Sequence, residues 1–375
     1  MSASMIDWNV AVQTGTRLVR PGPQVAQAEA REVVDELREL SRLAEGHVRE
    51  FTGIHTETAL APATVVDRPG WIRANVDGFR VVLEPLMEQM AERKGPGLLG
   101  AGAGNAVVHA VGSRVTGMQV GAILAYMASR VLGQYELFLP PDPSGNAPTG
   151  RLTLVAPNIV SVEQELGVNT RDFRLWVCLH EETHRAQFTG VPWLREYVQE
   201  QMTQFLLASD LDPGAMLDRI KDAAEAVADA VRGSGEANLI DAIQSPEQRE
   251  ILDRLTAVMT LVEGHGDYVM DAVGPDVVPS VRDIRSRFQG RREGGTRLDK
   301  TIRRLLGIDL KMKQYAEGSR FVRRVVTEVG MTEFNRIWES PETLPTHDEI
   351  KEPAAWMDRV LGPRALDAPP EANEA

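Results

Sequence analysis

Cysteine is almost absent from this chain, with one in 375 residues. A single thiol excludes an intramolecular disulfide and a zinc cage built from cysteines. It fits a reducing compartment, and the start "MSASMIDWNVAVQTGTRL" has no apolar stretch behind a basic leader. The expected location is therefore the cytoplasm. Long hydrophobic runs are missing too. The glycine- and alanine-rich stretch 97–133 is interrupted by His109, Arg114 and Arg130, so no run of about 18 apolar residues survives to span a bilayer. It reads as core helix. Positive charge is also short: a net charge of −13 argues against a nucleic-acid partner, because phosphate binding takes clustered Lys and Arg. The one basic stretch, Arg285–Arg297, contains Gly290, Gly294 and Gly295 and reads as a solvated loop.

Helical periodicity is what the chain does have. Val25, Val33, Leu37, Leu40 and Leu43 fall near one face of a helix over 24–50. Further helices are expected over 76–93, 116–132, 192–208, 214–232, 246–273, 279–289, 297–305, 310–329 and 347–360. "GPGLLGAGAGN" at 95–105 invites a phosphate-loop reading, but the closing Lys-Ser/Thr pair is missing and no strand pattern precedes it. It reads as a turn or a close helix contact. "QYELFLPP" (134–141) and "GRLTLVAPN" (150–158) are strand-like around the turn-rich "DPSGNAPTG", which predicts a small β-hairpin. The expectation is a mainly α chain, α+β through that hairpin or a small sheet. It should form one domain over 1–361, within which 1–133 could be an N-terminal helical lobe. The acidic tail 362–375 is expected to be disordered.

Chemistry concentrates in "LWVCLHEETHRAQF", residues 175–188. Thr170 can cap a helix there, and Gly190 with Pro192 can stop it. Four residues make about 400° of rotation, so His180 and His184 project from one face about 6 Å apart. Two imidazoles so placed can share one Zn²⁺. Glu181 sits about 100° around from His180, beside such a metal rather than on it, where a general base for an attacking water belongs. Glu182 and Cys178 face the other way, and Cys178 reads as a packing thiol. An ordinary helix carrying one core and one exposed histidine would show the same local pattern.

A third ligand decides between these readings. A histidine at 190 would extend the motif, but Gly190 and Gln187 stand where that pattern needs His and Gly. The ligand should then be a later carboxylate, Glu263 or Glu200. Glu263 is favoured because it interrupts the apolar "LTAVMTLVEGHGDYVMDAVG" (255–274), where a buried carboxylate needs a reason. Asp267, one turn on, could accept the outer N–H of a metal-bound imidazole. Gly264 and Gly266 would let this helix approach the motif helix closely. If those glycines distort the helix, His265 could reach the cleft and polarise a substrate carbonyl. Tyr315 is a second candidate for that role.

The chain resembles the actinobacterial zincin-like metallopeptidase type 2 proteins. The likeness runs through "IDWNVAVQTGTRLVRPGP", "SRVLGQYELFLP", "LTLVAPNIVSVEQELGV", "DFRLWVCLHEETHRAQFTGVPWLREY", "VEGHGDYVMDAVG", "PSVRDIRSRFQGRR" and "LLGIDLKMKQYAEGSRFV". It implies a zincin-like helical domain whose HExxH helix packs on a later glutamate-bearing helix. It also implies a zinc-dependent hydrolase of the gluzincin type, with His180, His184 and Glu263 as ligands and Glu181 as base. The expected activity is cleavage of a peptide or amide bond in an unidentified peptide or protein substrate, which the strand 151–156 could hold as an extended chain by edge pairing. The alternative is a non-catalytic zinc protein in which the ion ties helices together for partner binding.

Overall fold

The computed structural model describes residues 5–56, 60–93, 103–140, 150–208, 246–293 and 308–362. In chain order these form α1 (Trp8–Leu18), α2 (Gln27–Thr52), β1 (Thr64–Val66), α3 (Arg68–Arg93), α4 (Ala103–Ala128), β2 (Gly133–Glu136) and β3 (Arg151–Val155). There follow α5 (Ala156–Leu166), α6 (Thr170–Gly190), α7 (Leu194–Ala208), α8 (Pro246–Ala272), α9 (Val281–Glu293) and α10 (Ile308–Phe334). Two short 3₁₀ turns then lead to α11 (His347–Lys351) and α12 (Pro353–Val360). The chain is mainly helical with a small mixed sheet, as its periodicity predicts. The helices expected at 214–232 and 297–305, most of the 95–105 stretch and the C-terminal tail lie outside the described residues. Among the described residues no helix is long and apolar enough to cross a membrane.

The sheet corrects one expectation. Strands β2 and β3 pair antiparallel, with Gly133 opposite Leu154 and Glu136 opposite Arg151. A third strand, β1, joins β3 in parallel, and the order is β1-β3-β2. Residues 151–156 were expected to offer an edge to an extended peptide. Of these, Arg151–Val155 form the central strand, with both edges occupied, and the outer edge nearest α6 belongs to β2.

Helix α6 runs through the larger of two hydrophobic cores. Phe173, Trp176, Val177 and Leu179 are all at most 2 % exposed. They join Leu37, Leu40 and Ala44 of α2 with Leu261, Val262 and Val269 of α8. The N-cap is Asn169, whose side chain accepts from the Asp172 amide at 3.0 Å, not the expected Thr170. Asp172 is held in turn by the Ser280 amide and hydroxyl. The smaller core gathers Trp8, Trp71, Ile72, Val76 and Leu124 from α1, α3 and α4, and includes Val155 of β3. The first 133 residues thus divide between the two cores, since α2 belongs with α6.

Helix α8 is set by a backbone contact. A Cβ on Gly264 would stand 2.2 Å from the Gly318 carbonyl carbon, and one on Gly318 would stand 2.1 Å from the Thr260 oxygen. Helices α8 and α10 therefore touch where neither has a side chain. Gly264 serves this contact, not the approach to α6 expected of it. Gly266 serves that one: its Cβ would lie 3.0 Å from His180 Cε1 and 3.3 Å from His184 Cε1.

Candidate metal centre

The space left by Gly266 is filled by two imidazoles, and Glu263 closes it from the same helix. His180 Nε2 and His184 Nε2 stand 3.1 Å apart. Glu263 Oε2 lies 3.6 Å from the first and 3.7 Å from the second. These three are the cluster of possible ligand atoms found among the described residues, all within 4.8 Å of one another. Ligand atoms on a tetrahedral ion with bonds of about 2.0–2.1 Å stand about 3.3 Å apart. The observed triangle brackets that value, so the residues fit a small divalent ion. Glu200, the competing carboxylate, is exposed on α7 and accepts a hydrogen bond from Gln204.

The electrostatics match the geometry. Burial disfavours the Glu263 carboxylate, yet the facing imidazoles of His180 and His184 outweigh it and hold the carboxyl far below its ordinary range. Burial likewise pulls His184 down, but the facing Glu263 carboxylate wins and lifts it to about 9. Three donors thus meet with charge arranged around a common point. Glu181 is buried beside them at 6 % exposure. Burial raises its carboxyl, against the pull of His180 and His184 and with the push of Glu263. Its position depends on Gly133 at the start of β2, where a Cβ would fall 2.6 Å from the Glu181 carboxyl carbon.

The other expected residues are placed differently. Asp267 reaches neither imidazole: it pairs with Arg285 of α9 at 3.6 Å, a cation brought in by a separate helix. The outer nitrogen of His184 goes instead to Gln187 Oε1 at 3.0 Å, while His180 Nδ1 is buried without a hydrogen-bond partner among the described residues. His265 is fully buried and packs against the Phe334 and Trp338 rings. That is not the cleft-facing position a distorted helix was to give it. Burial lowers it to about 3, so it is neutral. The Tyr315 side chain lies outside the described residues. Gln187 is the residue that sequence reasoning passed over, although it shares the buried face of Phe173, Trp176, His180 and His184, where an amide needs a partner.

A solved structure from Chloroflexus aurantiacus, described as a candidate hydrolase with a novel fold, is similar to this chain. It is 33 % identical over 94 % of this chain and 98 % of that one, with a TM-score of 0.66. No curated protein matches. A family model described as a zincin-like metallopeptidase matches residues 6–357. That match spans nearly the whole chain, and this chain belongs to the zincin-like metallopeptidase family.

Proposed function

We propose that the protein is a zinc-dependent hydrolase of peptide or amide bonds, with Zn²⁺ held by His180, His184 and Glu263. The observation that carries this reading is the triangle of donors with a buried carboxylate, Glu181, beside it rather than in it. A structural zinc site fills its coordination with protein ligands and has no use for such a neighbour. A zinc ion supplies Lewis acidity, which activates water and polarises a carbonyl. Glu181 takes a proton from the attacking water and returns it to the departing amine. Its raised affinity for the proton suits both halves of that task.

The substrate side is supported by β2. Among the described residues β2 is an edge strand of the sheet, and such a strand can take an extended peptide beside it. A groove of about 330 Å³ has Gln134 and Glu136 of β2 in its lining, with Phe79, Leu83, Phe138 and Met202. Apolar substrate side chains would occupy it.

The test pairs metal content with hydrolysis of a broad peptide library. Wild type should hold one zinc per chain and cleave; Glu181→Gln should keep the zinc and lose about 10²–10⁴-fold in rate. Full zinc with undiminished cleavage in that variant would remove Glu181 from the mechanism. Full zinc with no cleavage of any peptide would favour a zinc protein that acts by binding partners.

A further inference from the structure

His184 and His180 face the same point but are held in different ways. Gln187 follows His184 by about one helical turn and is completely buried. Its Nε2 lies 3.0 Å from the backbone carbonyl of Val262, which can only accept a hydrogen bond. The amide nitrogen must therefore face α8. The same nitrogen lies 2.9 Å from His265 Nδ1, which accepts its second hydrogen. With the amide fixed in that sense, its oxygen is left pointing at His184 Nδ1, 3.0 Å away. A carbonyl oxygen cannot donate, so the hydrogen between them belongs to His184. That leaves Nε2 as the atom His184 turns toward His180 and Glu263.

We infer that Gln187 is the positioning residue of the metal centre, fixing which nitrogen of His184 meets the ion, and that Val262 and His265 hold Gln187 in register. The inference rests on the metal reading above. It assigns His265 a place behind the site, through Gln187 and His184, instead of contact with substrate. Val262 immediately precedes Glu263, so the stretch of α8 that supplies the third ligand also sets the orientation of the second. One helix movement would disturb both. A partner of this kind raises ligand basicity and removes rotational freedom of the ring, and losing it typically weakens metal binding by about 10–100-fold.

Zinc dissociation constants, measured by chelator competition on wild type, Gln187→Leu and Gln187→Glu, test this. Gln187→Leu should bind zinc about 10–100-fold more weakly. Gln187→Glu keeps an oxygen that can accept from His184 Nδ1 and should fall between Leu and wild type. A readout insensitive to packing comes from proton NMR of the cobalt-substituted proteins. The exchangeable Nδ1–H of metal-bound His184 should persist in wild type and Gln187→Glu and broaden through solvent exchange in Gln187→Leu. The inference is overturned if Gln187→Leu binds zinc within twofold of wild type, if Glu rescues nothing, or if that proton is unchanged in the Leu variant. A wild-type chain that takes up neither zinc nor cobalt would overturn the metal reading first, and this with it.

Discussion

Helix α6 buries ionisable side chains on both of its long faces, yet the face toward α8 and β2 and the face toward α2 treat charge differently. Toward α2, Glu182 is 1 % exposed, accepts a hydrogen bond from Ser41 and pairs with Arg185 at 2.6 Å. Arg185 also reaches the Ala61 carbonyl and Glu45. That group is closed, each charge answered by a neighbour. Toward α8, His180, His184 and Glu263 turn their lone pairs inward on one another, and among the described residues the imidazoles are the positive groups acting on Glu181. That group is incomplete as protein alone. A buried cluster whose lone pairs all converge on one point is a candidate metal site; one whose ions pair off in turn with neighbours is a joint.

Exchanging the roles of the two faces gives the largest expected effect. Glu182→Ala should leave Arg185 with only the longer Glu45 contact and the Ala61 carbonyl and cost up to about 3 kcal/mol of stability, with one zinc still bound per chain. Glu263→Ala should do the reverse, losing zinc while changing the metal-free melting temperature little above pH 9, where its pairing with His184 no longer contributes. Calorimetry with metal analysis on both variants checks this, and loss of zinc in Glu182→Ala would erase the distinction. Gly133→Ala should come next. The added methyl displaces the Glu181 carboxyl, so hydrolysis should drop about tenfold or more while zinc affinity holds. A variant as active as wild type would show that Glu181 works from another position.

The smallest effect lies in pH. His184 is raised to about 9 in the metal-free protein, so below that pH an incoming ion must displace its proton. Zinc affinity should climb by about tenfold per pH unit up to 9 and level off above it. Stability of the metal-free chain should move the opposite way. The contribution of a histidine raised above its unfolded value of about 6.5 is complete below that value and lost as pH rises through 9. Glu263→Gln should flatten both slopes, because Glu263 is what raises His184. Chelator competition and melting curves across pH 6–10 would show it.

The incomplete face was the more legible one in the sequence. Two histidines four residues apart share a face by helical geometry alone, and Glu263 stood out because its surroundings are apolar. The limits of α6 followed from periodicity and its Gly-Pro stop. The partners of those residues were not legible, since each depends on contacts between distant segments. Asp267 meets Arg285 because α9 folds back across α8. Strand β1 exists because Thr64 finds Thr153 in parallel register, and three residues carry no period of their own. The N-cap fell to Asn169 over Thr170, two residues equally able to cap. Gln187 left a signal in its place on the buried face, but its two partners, Val262 and His265, come from α8.

The contact between Gly264 and Gly318 gives the centre a reference that no rotamer can alter. Side-chain packing yields a little under strain, whereas two backbones already touching cannot draw closer, and Glu263 is the residue adjoining that contact. The third ligand is thus gauged against main chain on the far side of its own helix. Heat or sequence drift that reshapes the surrounding core should leave its reach nearly constant, while one methyl added at either glycine should move it.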